Sequence, residues 1–389
     1  MSHLPLWRAL SVSSLRRHVG PALGALSALA LVFASACSSG NAPIFIGLAG
    51  PFSDSVGAPM KRAAELAVDQ INRTGGIGGR PLTLVTRDDY GDPDSAVAVA
   101  GQLVSAGVVA VIGHVYSGTT LASAPVYNTA HVVQISPSSS STLVTGAGPY
   151  TFRVCPSDLQ QGAALARFAA ERLNLHRGTI LYVNDEYGRG LRQVFASEFS
   201  RLGGVVDELD PFLGTRPNLV PYLDRLARKG TSQFVFLGAN TAEGVAALRA
   251  ARARAVTIPV LGGDGLEGIE EAGPFAEGTY VSSAYLPSFD TPRNREFLNG
   301  YSRRYPNARP PNQPAAGAYD IVFLLRDALD RAGPDRQRLR DAVAAVGHGL
   351  PPFHGITGEI AFDDAGDVPR QRVIIGRVES GKIRAVEGL

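Results

Sequence analysis

The chain has 389 residues, of which 45% are hydrophobic and 19% charged, a composition that excludes a disordered or collagen-like protein. Its 37 lysines and arginines nearly balance 35 aspartates and glutamates, so the charge does not predict binding to nucleic acid. Two cysteines exclude a disulfide scaffold and a cysteine-based zinc cage, and the one long apolar run, near the N-terminus, excludes a polytopic membrane protein.

Residues 1–36 are typical of an export signal. A basic region with three arginines and no acidic residue precedes an apolar, small-residue stretch. The stretch ends in Ala34-Ser35-Ala36-Cys37, which resembles a bacterial lipobox and therefore implies cleavage before Cys37 and lipidation of that residue. Cleavage without a lipid, a short membrane anchor and a twin-arginine signal are the alternatives.

The body of the chain alternates short apolar runs with segments of helical periodicity. Predicted strands cover 44–48, 82–86, 108–112, 131–135, 179–183, 205–209, 233–237 and 258–261. Predicted helices cover 56–74, 94–106, 117–128, 159–173, 190–202, 219–228 and 242–252. This alternation predicts parallel sheets with helices on both faces. A break rich in Ser, Thr, Gly and Pro at 136–150 suits a crossing between two lobes, although a barrel of eight units is possible on count alone.

The last third has a different pattern. Three helices are predicted in succession, at 294–305, 316–332 and 336–345, and we interpret them as returning to the first lobe. Two short runs, 360–362 and 372–378, are interpreted as strands near a hinge.

Motifs of the common enzyme classes are missing from the sequence. It contains no Gly-x-Ser-x-Gly, Walker A or His-Glu-x-x-His pattern, so we predict neither an enzyme nor a cofactor. The acidic segment 88–94 lacks calcium-loop spacing, and the simpler interpretation is a loop in which Asp92 or Asp94 caps a helix. His114, next to a serine-rich loop, leaves a Ser/His site open, while Cys155 is predicted to be a small buried hydrophobe.

Polar loops follow several predicted strands at the carboxyl edge of the sheet, where open parallel sheets bind ligands. Ser117 and Thr119 open a helix after the third strand, and hydroxyls with free amides at a helix N-terminus suit a carboxylate. Helix capping by Ser117 is the alternative. Ser138, Ser139 and Ser140 follow the fourth strand and add donors, unless they form only a flexible loop.

Two further residues fall at the same edge. Asp264 lies between glycines after the strand at 258–261, so its carboxylate could approach a ligand and take an ammonium group. The alternative is a turn aspartate. Tyr187, after the strand at 179–183, places an aromatic ring at the same rim.

Several motifs together make the chain resemble the periplasmic leucine/isoleucine/valine-binding proteins, the type I solute-binding proteins of ABC importers. The resemblance extends from about 44 to 378. The motifs are Gly50-Pro51-Phe52-Ser53 with Gly57, Ala67-Val68-Asp69-Gln70-Ile71-Asn72 with Gly75-Gly76-Ile77, Val111-Ile112-Gly113-His114, and Asp185-Glu186-Tyr187-Gly188-Arg189-Gly190.

The resemblance implies an α/β clamshell of two doubly wound parallel-sheet lobes joined by a hinge. We expect lobe 1 to comprise 43–157 plus 287–367, and lobe 2 to comprise 158–286 plus 368–389. In this family the loops matching Ser117 and Ser138–Ser140 hold an amino-acid carboxylate, the acidic residue matching Asp264 takes the ammonium, and Tyr187 lines the cleft.

The sequence departs from the branched-chain binders at the cleft. Val56 and Asn240 stand where those proteins tend to have aromatic residues, and Tyr116 stands where some have a disulfide cysteine. Loss of two aromatics and gain of the Asn240 amide imply a roomier, more polar cleft.

The sequence therefore predicts an extracytoplasmic solute-binding lipoprotein of an ABC importer. Its expected partners are an amino acid, amide or urea-like solute, an ABC permease, and the membrane through the lipid on Cys37 alone. A ligand-sensing protein that acts on a sensor or regulator is the alternative.

Overall fold

The computed structural model describes residues 42–214 and 217–386. The predicted export signal and Cys37 lie outside these residues. None of the helices within these ranges is long and apolar enough to cross a membrane.

Five parallel strands form the first sheet, in the spatial order β2-β1-β3-β4-β5. They are β1 (Ile44–Gly50), β2 (Leu82–Asp88), β3 (Ala110–Ile112), β4 (Val133–Ser136) and β5 (Thr151–Arg153). Ile46 and Leu48 of β1 are fully buried on one face, while Ala49 is buried in a separate cluster. Burial on both faces explains why these strands are continuous apolar runs in the sequence.

Seven strands form the second sheet, in the order β14-β13-β10-β9-β8-β6-β7. They are β6 (Arg177–Val183), β7 (Val205–Phe212), β8 (Phe234–Gly238), β9 (Val260–Gly262), β10 (Tyr280–Ser283), β13 (Ile374–Glu379) and β14 (Lys382–Ala385). The strands β6 to β10 are parallel, whereas β13 is antiparallel to both of its neighbours. A separate antiparallel pair joins β11 (Phe353–His354) to β12 (Glu359–Ile360).

Ten α-helices lie in the described part of the chain. They are α1 (Gly57–Arg73), α2 (Pro93–Ser105), α3 (Ser117–Thr129), α4 (Asp158–Arg167), α5 (Glu186–Arg201), α6 (Val220–Lys229), α7 (Thr241–Arg252), α8 (Pro292–Arg304), α9 (Gln313–Ala332) and α10 (Arg336–Ala344). A π-helical segment, Phe168–Arg172, extends α4, and a 3-10 turn, Asp264–Leu266, follows β9.

The helices from the last third pack on the first sheet. Helix α9 lies along α1, where the Tyr319 hydroxyl donates to Gln70 Oε1 at 2.7 Å across 249 residues of sequence. The ring of Phe297, from α8, packs 4.6 Å from the ring of Tyr319. This apolar contact buries the inner faces of α1, α8 and α9 together, which supplies most of their stability as helices.

Aromatic rings fill one face of the second sheet. Phe195 of α5 stacks on Phe236 of β8 with ring centroids 3.8 Å apart, and it also contacts Phe199 and Phe234. All four rings are fully buried. Their packing fixes α5 against β8, and so fixes the position of Tyr187 in the first turn of that helix.

The structure corrects two sequence-based expectations. The chain is not a single barrel, because its strands form two open sheets. The break at 136–150 is not the crossing between lobes, because it leads to β5, which pairs with β4 in the same sheet. The run at 372–378 forms β13, which pairs with β10 in the second sheet. Strands β5 and β10 were not predicted, because charged or polar residues replace the apolar run that marks the equally short β3 and β9.

Candidate functional site

A buried arginine organises the serine loop after β4. Arg153 Nη1 donates to the backbone carbonyls of Ser139, Ser140 and Ser141 at 3.3, 3.0 and 2.8 Å. Its Nη2 donates to Asp367 Oδ2 at 2.7 Å, and the side chain is 1% exposed. With its carbonyls held by the guanidinium, the loop is fixed and not a flexible connection.

Some hydroxyls of the two predicted loops are used inside the protein. Ser138 Oγ donates to the carbonyl of Val115 at 2.8 Å, and the Ser139 and Thr120 hydroxyls share a 2.8 Å bond. Thr119 Oγ1 donates to a carbonyl three residues earlier at 2.8 Å. These bonds tie the serine loop to the first turn of α3, so both loops present one surface.

Ser117 joins the two loops rather than capping its helix. Tyr116 occupies the N-cap position of α3 without a side-chain bond to the first turn, and Ser117 Oγ accepts from the Ser141 amide at 3.1 Å. Ser117 and Gly118 line a cavity. The N-terminal end of α3, with its partial positive charge, therefore forms part of the cavity wall.

Asp264 lies opposite these donors, in the 3-10 turn after β9. Its Oδ1 accepts from Ser140 Oγ at 3.3 Å, its Oδ2 accepts from Gln313 Nε2 at 3.4 Å, and its own amide donates to Gln161 Oε1 at 3.3 Å. Burial raises the pKa of the Asp264 carboxyl to about 6, although hydrogen bonds from Gln161, Gln313, Tyr187 and Ser140 oppose the rise. The carboxylate thus lacks a cationic partner within the described residues.

Tyr187 packs against the 3-10 turn that contains Asp264. Its hydroxyl accepts from the Gly265 amide at 2.9 Å. A Cβ atom on Gly263 or Gly265 would lie 2.4 or 2.6 Å from the tyrosine ring system, so the close approach requires glycine on both sides of Asp264. Burial, with Asp264 and Asp158 nearby, raises the pKa of Tyr187 well above its ordinary value, so the ring stays neutral.

The start of α7 and the start of α9 complete the wall. Asn240 is the N-cap residue of α7 and makes no side-chain capping bond. Thr241 Oγ1 donates to the carbonyl of Glu267 at 2.7 Å, and Glu267 Oε1 accepts from the Gln313 amide at 2.8 Å. Burial raises the pKa of the Glu267 carboxyl well above its ordinary value.

These elements enclose a narrow cavity of about 50 Å³ between the two sheets, room for a few water molecules. It is lined by Val56, Val115, Tyr116, Ser117, Gly118, Ser138, Ser140, Asp185, Tyr187, Asn240, Thr241, Asp264, Gly265, Glu267, Gln313 and Pro314. Six of the eight predicted site residues are among them. The other two, Thr119 and Ser139, lie just behind the wall, where their hydroxyls bond within the protein.

The sequence alone did not indicate Gln313, Glu267 or Gln161 as site residues. Gln161 Oε1 also accepts from Ser282 Oγ at 2.6 Å, which links α4 to β10. A signal for Gln313 was present, since Asn312 followed by a proline in the first turn is typical of a helix start. The predicted helix began at 316 and therefore excluded it. No local pattern marks Gln161 or Glu267, because tertiary contacts alone bring them to the site.

The Ser/His alternative is wrong. His114 is fully buried, with Nδ1 2.5 Å from Asp89 Oδ2 and Nε2 3.2 Å from the Tyr127 hydroxyl. The neighbouring hydroxyls of Ser136 and Ser139 reach the backbone carbonyl of His114 instead of its ring. With both ring nitrogens occupied by other groups, the imidazole is not placed to activate a serine.

The structure also decides between the interpretations of the acidic segment 88–94 and of Cys155. Asp92 caps α2, accepting from the Ser95 amide at 2.8 Å. Within the described ranges, no group of three or more His, Cys, Asp or Glu residues is arranged to hold a metal ion. Cys155 is fully buried, and burial raises the pKa of its thiol well above the ordinary value, so it is a buried hydrophobe as predicted.

Two doubly wound sheets with a polar cavity between their carboxyl edges define a two-lobed binding protein. A sequence model of the family described as periplasmic binding protein matches residues 43–382. The chain belongs to this family, whose members are exported solute-binding proteins rather than enzymes.

Relatives with known names fall in the same group. The chain is 28% identical to the leucine-, isoleucine-, valine-, threonine- and alanine-binding protein of Pseudomonas aeruginosa, over 88% of this chain and 91% of that protein. It is 26% identical to the leucine-binding protein LivK of Thermotoga maritima, with a TM-score of 0.80 over 88% and 97% of the two chains. The Streptococcus pneumoniae protein LivJ, solved in complex with isoleucine, gives 26% identity and a TM-score of 0.80 over 88% and 99%. These likenesses match the family that the motifs indicated.

Proposed function

We propose that the protein is the extracytoplasmic solute-binding component of an ABC importer and binds an amino acid, or a related small polar solute, in the cavity between the sheets. The observation that carries this proposal is the position of Asp264 opposite the serine loop and the N-terminus of α3. An anion-binding wall facing a buried carboxylate suits a zwitterion, whose two charges it would pair.

In this proposal the solute carboxylate binds the Ser117 hydroxyl and the first amides of α3. The Ser138 and Ser140 hydroxyls join them by turning away from their present acceptors, the Val115 carbonyl and Asp264. The ammonium group binds Asp264, and Tyr187 and Asn240 contact the rest of the solute. The names of the relatives support an amino acid. Val56 and Asn240 at the wall support a more polar solute than leucine, because neither offers an aromatic surface.

The lobes would meet through the solute. We take lobe 1 as 43–157 plus 287–367 and lobe 2 as 158–286 plus 368–389, a division supported by the packing of α4 against α5. Ligand contacts made only when the lobes are closed would favour the closed form, and an ABC permease would recognise that form. Cys37 would carry the lipid that anchors the protein, as the residues before it suggest.

The direct test is Asp264→Asn, which keeps the size of the side chain and removes its charge. We expect the variant to lose about 2–5 kcal/mol of binding free energy for an amino acid, because the buried ammonium loses its counter-charge. Calorimetric titration with a panel of amino acids measures the loss.

Asp290→Asn is the matched control, since Asp290 has a side chain 83% exposed and pairs with Arg295 at the surface. It should bind as the unmodified protein does. Equal affinity in the Asp264→Asn variant would remove the proposed role of Asp264.

A further inference from the structure

The cavity between the sheets is narrow for a site that binds an amino acid. Its volume of about 50 Å³ is room for a few water molecules. Together these have about as many non-hydrogen atoms as glycine or alanine, and fewer than leucine. The cavity is narrow although Val56 and Asn240, at its wall, are smaller than aromatic residues. Other side chains therefore fill the space between the sheets.

Gln313 is one of the side chains that limit this volume. It is the first residue of α9, lines the cavity and is 1% exposed. Its Nε2 donates to Asp264 Oδ2 at 3.4 Å, so the amide lies beside the carboxylate that the proposed function assigns to the solute ammonium. Helix α9 packs on the first sheet, whereas Asp264 follows a strand of the second sheet. The side chain of Gln313 therefore extends across the gap between the sheets.

Hydrogen bonds hold this side chain in place. Gln313 Oε1 accepts from the Ala284 amide at 2.7 Å and from the Ser283 hydroxyl at 3.1 Å. Because a backbone amide can only donate, its bond also determines which end of the glutamine amide is the oxygen. If the side chain moved aside, the buried amide of Ala284 would lose its acceptor, at a cost in free energy. Gln313 is therefore a rigid part of the wall.

Two other large side chains at the wall are held by contacts of their own. Glu267 Oε1 accepts from the main-chain amide of Gln313 at 2.8 Å. The Tyr116 hydroxyl donates to Asp54 Oδ2 at 2.9 Å, and the ring packs so closely on Gly91 that a Cβ atom there would lie 2.8 Å from a ring carbon. A rotamer change that enlarged the cavity would break one of these contacts, so the volume is set by fixed side chains.

We propose that the solute is a small amino acid, of the size of glycine, alanine or serine, and that Gln313 sets this limit. The inference rests on the proposed function, because the α-carboxylate remains with the N-terminus of α3 and the α-ammonium group with Asp264. These two groups occupy most of the cavity, and the Gln313 amide lies next to the second of them. A longer side chain would have to displace Gln313 from the Ala284 amide or hold the two sheets apart.

The unbranched series glycine, alanine, 2-aminobutyrate and norvaline tests the size limit on the unmodified full-length protein, because each step adds one methylene group. In a site with spare room, burial of each methylene would raise the affinity about fourfold. We expect the opposite, because overpacking a fixed wall outweighs the gain from burial. Calorimetric titration should show that norvaline binds at least about tenfold more weakly than alanine.

Gln313→Ala tests the residue that sets the limit. Removal of the amide opens space beside Asp264, so the variant should bind norvaline more tightly than the unmodified protein does. The alanine-to-norvaline affinity ratio should fall to about one. If this variant fails to fold, the series on the unmodified protein still decides whether the size limit exists.

Gln134→Ala is the matched control. Gln134 is also a buried glutamine held by hydrogen bonds, with Nε2 donating to Ser123 Oγ at 2.9 Å, but it does not line the cavity. The variant should leave the alanine-to-norvaline ratio unchanged.

The possible results distinguish the inference from the proposed function. If norvaline binds as tightly as alanine, or more tightly, the inference is wrong and the proposed function stands. If alanine is preferred and the preference survives in a folded Gln313→Ala variant, the role assigned to Gln313 is wrong. If neither this series nor any larger amino acid binds, the proposed function fails and the inference fails with it.

Discussion

Arg153 shows how a single residue can shape a binding loop without touching the cavity. It is the largest fully buried side chain of the described chain, and its guanidinium holds three successive carbonyls of the serine loop together with Asp367. The planar guanidinium has donors on both terminal nitrogens, so Nη1 can bond the loop carbonyls while Nη2 bonds the Asp367 carboxylate. The geometry of the anion-binding wall thus depends on a residue from the adjacent strand.

Replacing Arg153 by lysine should destabilise the protein by about 1–3 kcal/mol, because one ammonium group leaves several buried acceptors without donors. Urea unfolding measures this change, and amino-acid affinity should fall in parallel as the loop loosens. Arg338→Lys, with a side chain 71% exposed, should change stability by less than about 0.5 kcal/mol. Equal urea midpoints for the two variants would show that the guanidinium of Arg153 contributes nothing to stability beyond its charge.

Among individual residues, local sequence features indicate some that shape the site but not others. Asp264 could be predicted because its flanking glycines and its place after a strand are local features. Arg153 could not, since its partners lie in another loop and at Asp367, 214 residues away.

Helix α9 links the stability of one element to the shape of the cavity. Asn312 caps it by accepting from the Ala315 amide at 3.0 Å, and its Nδ2 donates to the carbonyl of Val56 at 3.0 Å. The next residue, Gln313, contacts Asp264. One cap therefore starts the helix, holds the loop after β1 and positions a cavity residue.

The variant Asn312→Ala should cost about 1 kcal/mol of stability from the lost cap and should also weaken solute binding. Thr291→Ala removes an equivalent cap from α8, where Thr291 accepts from the Asn294 amide at 3.1 Å, and should lower stability alone. Thermal melts and calorimetric titration of both variants test the difference. Identical binding by the two would mean that the α9 cap has no bearing on the cavity.

Long elements were predicted well, whereas two of the short strands, β5 and β10, were not predicted. Helices α1 and α9 repeat their apolar residues over several turns, so their periods are visible in the sequence. Strand β5 has three residues and includes Arg153. Its burial is stabilised by contacts with β4 and the serine loop, and no local pattern contains that information.

At the scale of the whole molecule, several carboxyl groups are buried with raised pKa values, so the stability of the protein should depend on pH. Burial raises the pKa of Asp264 and of Asp320 to about 6. Burial, with Asp264 nearby, also raises the pKa of Asp158 well above its ordinary value, and both Asp158 oxygens lack partners within the described residues. The folded state therefore holds protons that the unfolded chain has released above about pH 4.

The direction of the pH dependence follows from this difference in bound protons. Groups with raised pKa values contribute stability below their unfolded pKa and lose it as pH rises through the folded value. We therefore expect the melting temperature of the ligand-free protein to fall between pH 5 and pH 7.5, as circular dichroism would show. Asp158→Asn should flatten this dependence and stabilise the protein at pH 7.5. A melting temperature that rises over this range would contradict the account.

The second sheet is not assembled from one continuous stretch of chain, and the first sheet is covered by helices from the last third of the chain. Strand β10 receives its partner β13 from near the end of the described residues, and α1 receives α9 across 249 positions. Such distant pairings make folding slow, since loop closure must precede the contacts that reward it. While synthesis proceeds, the nascent polypeptide lacks β13 and α9, so neither the second sheet nor the helical cover of the first can be completed until the last third of the chain has been made.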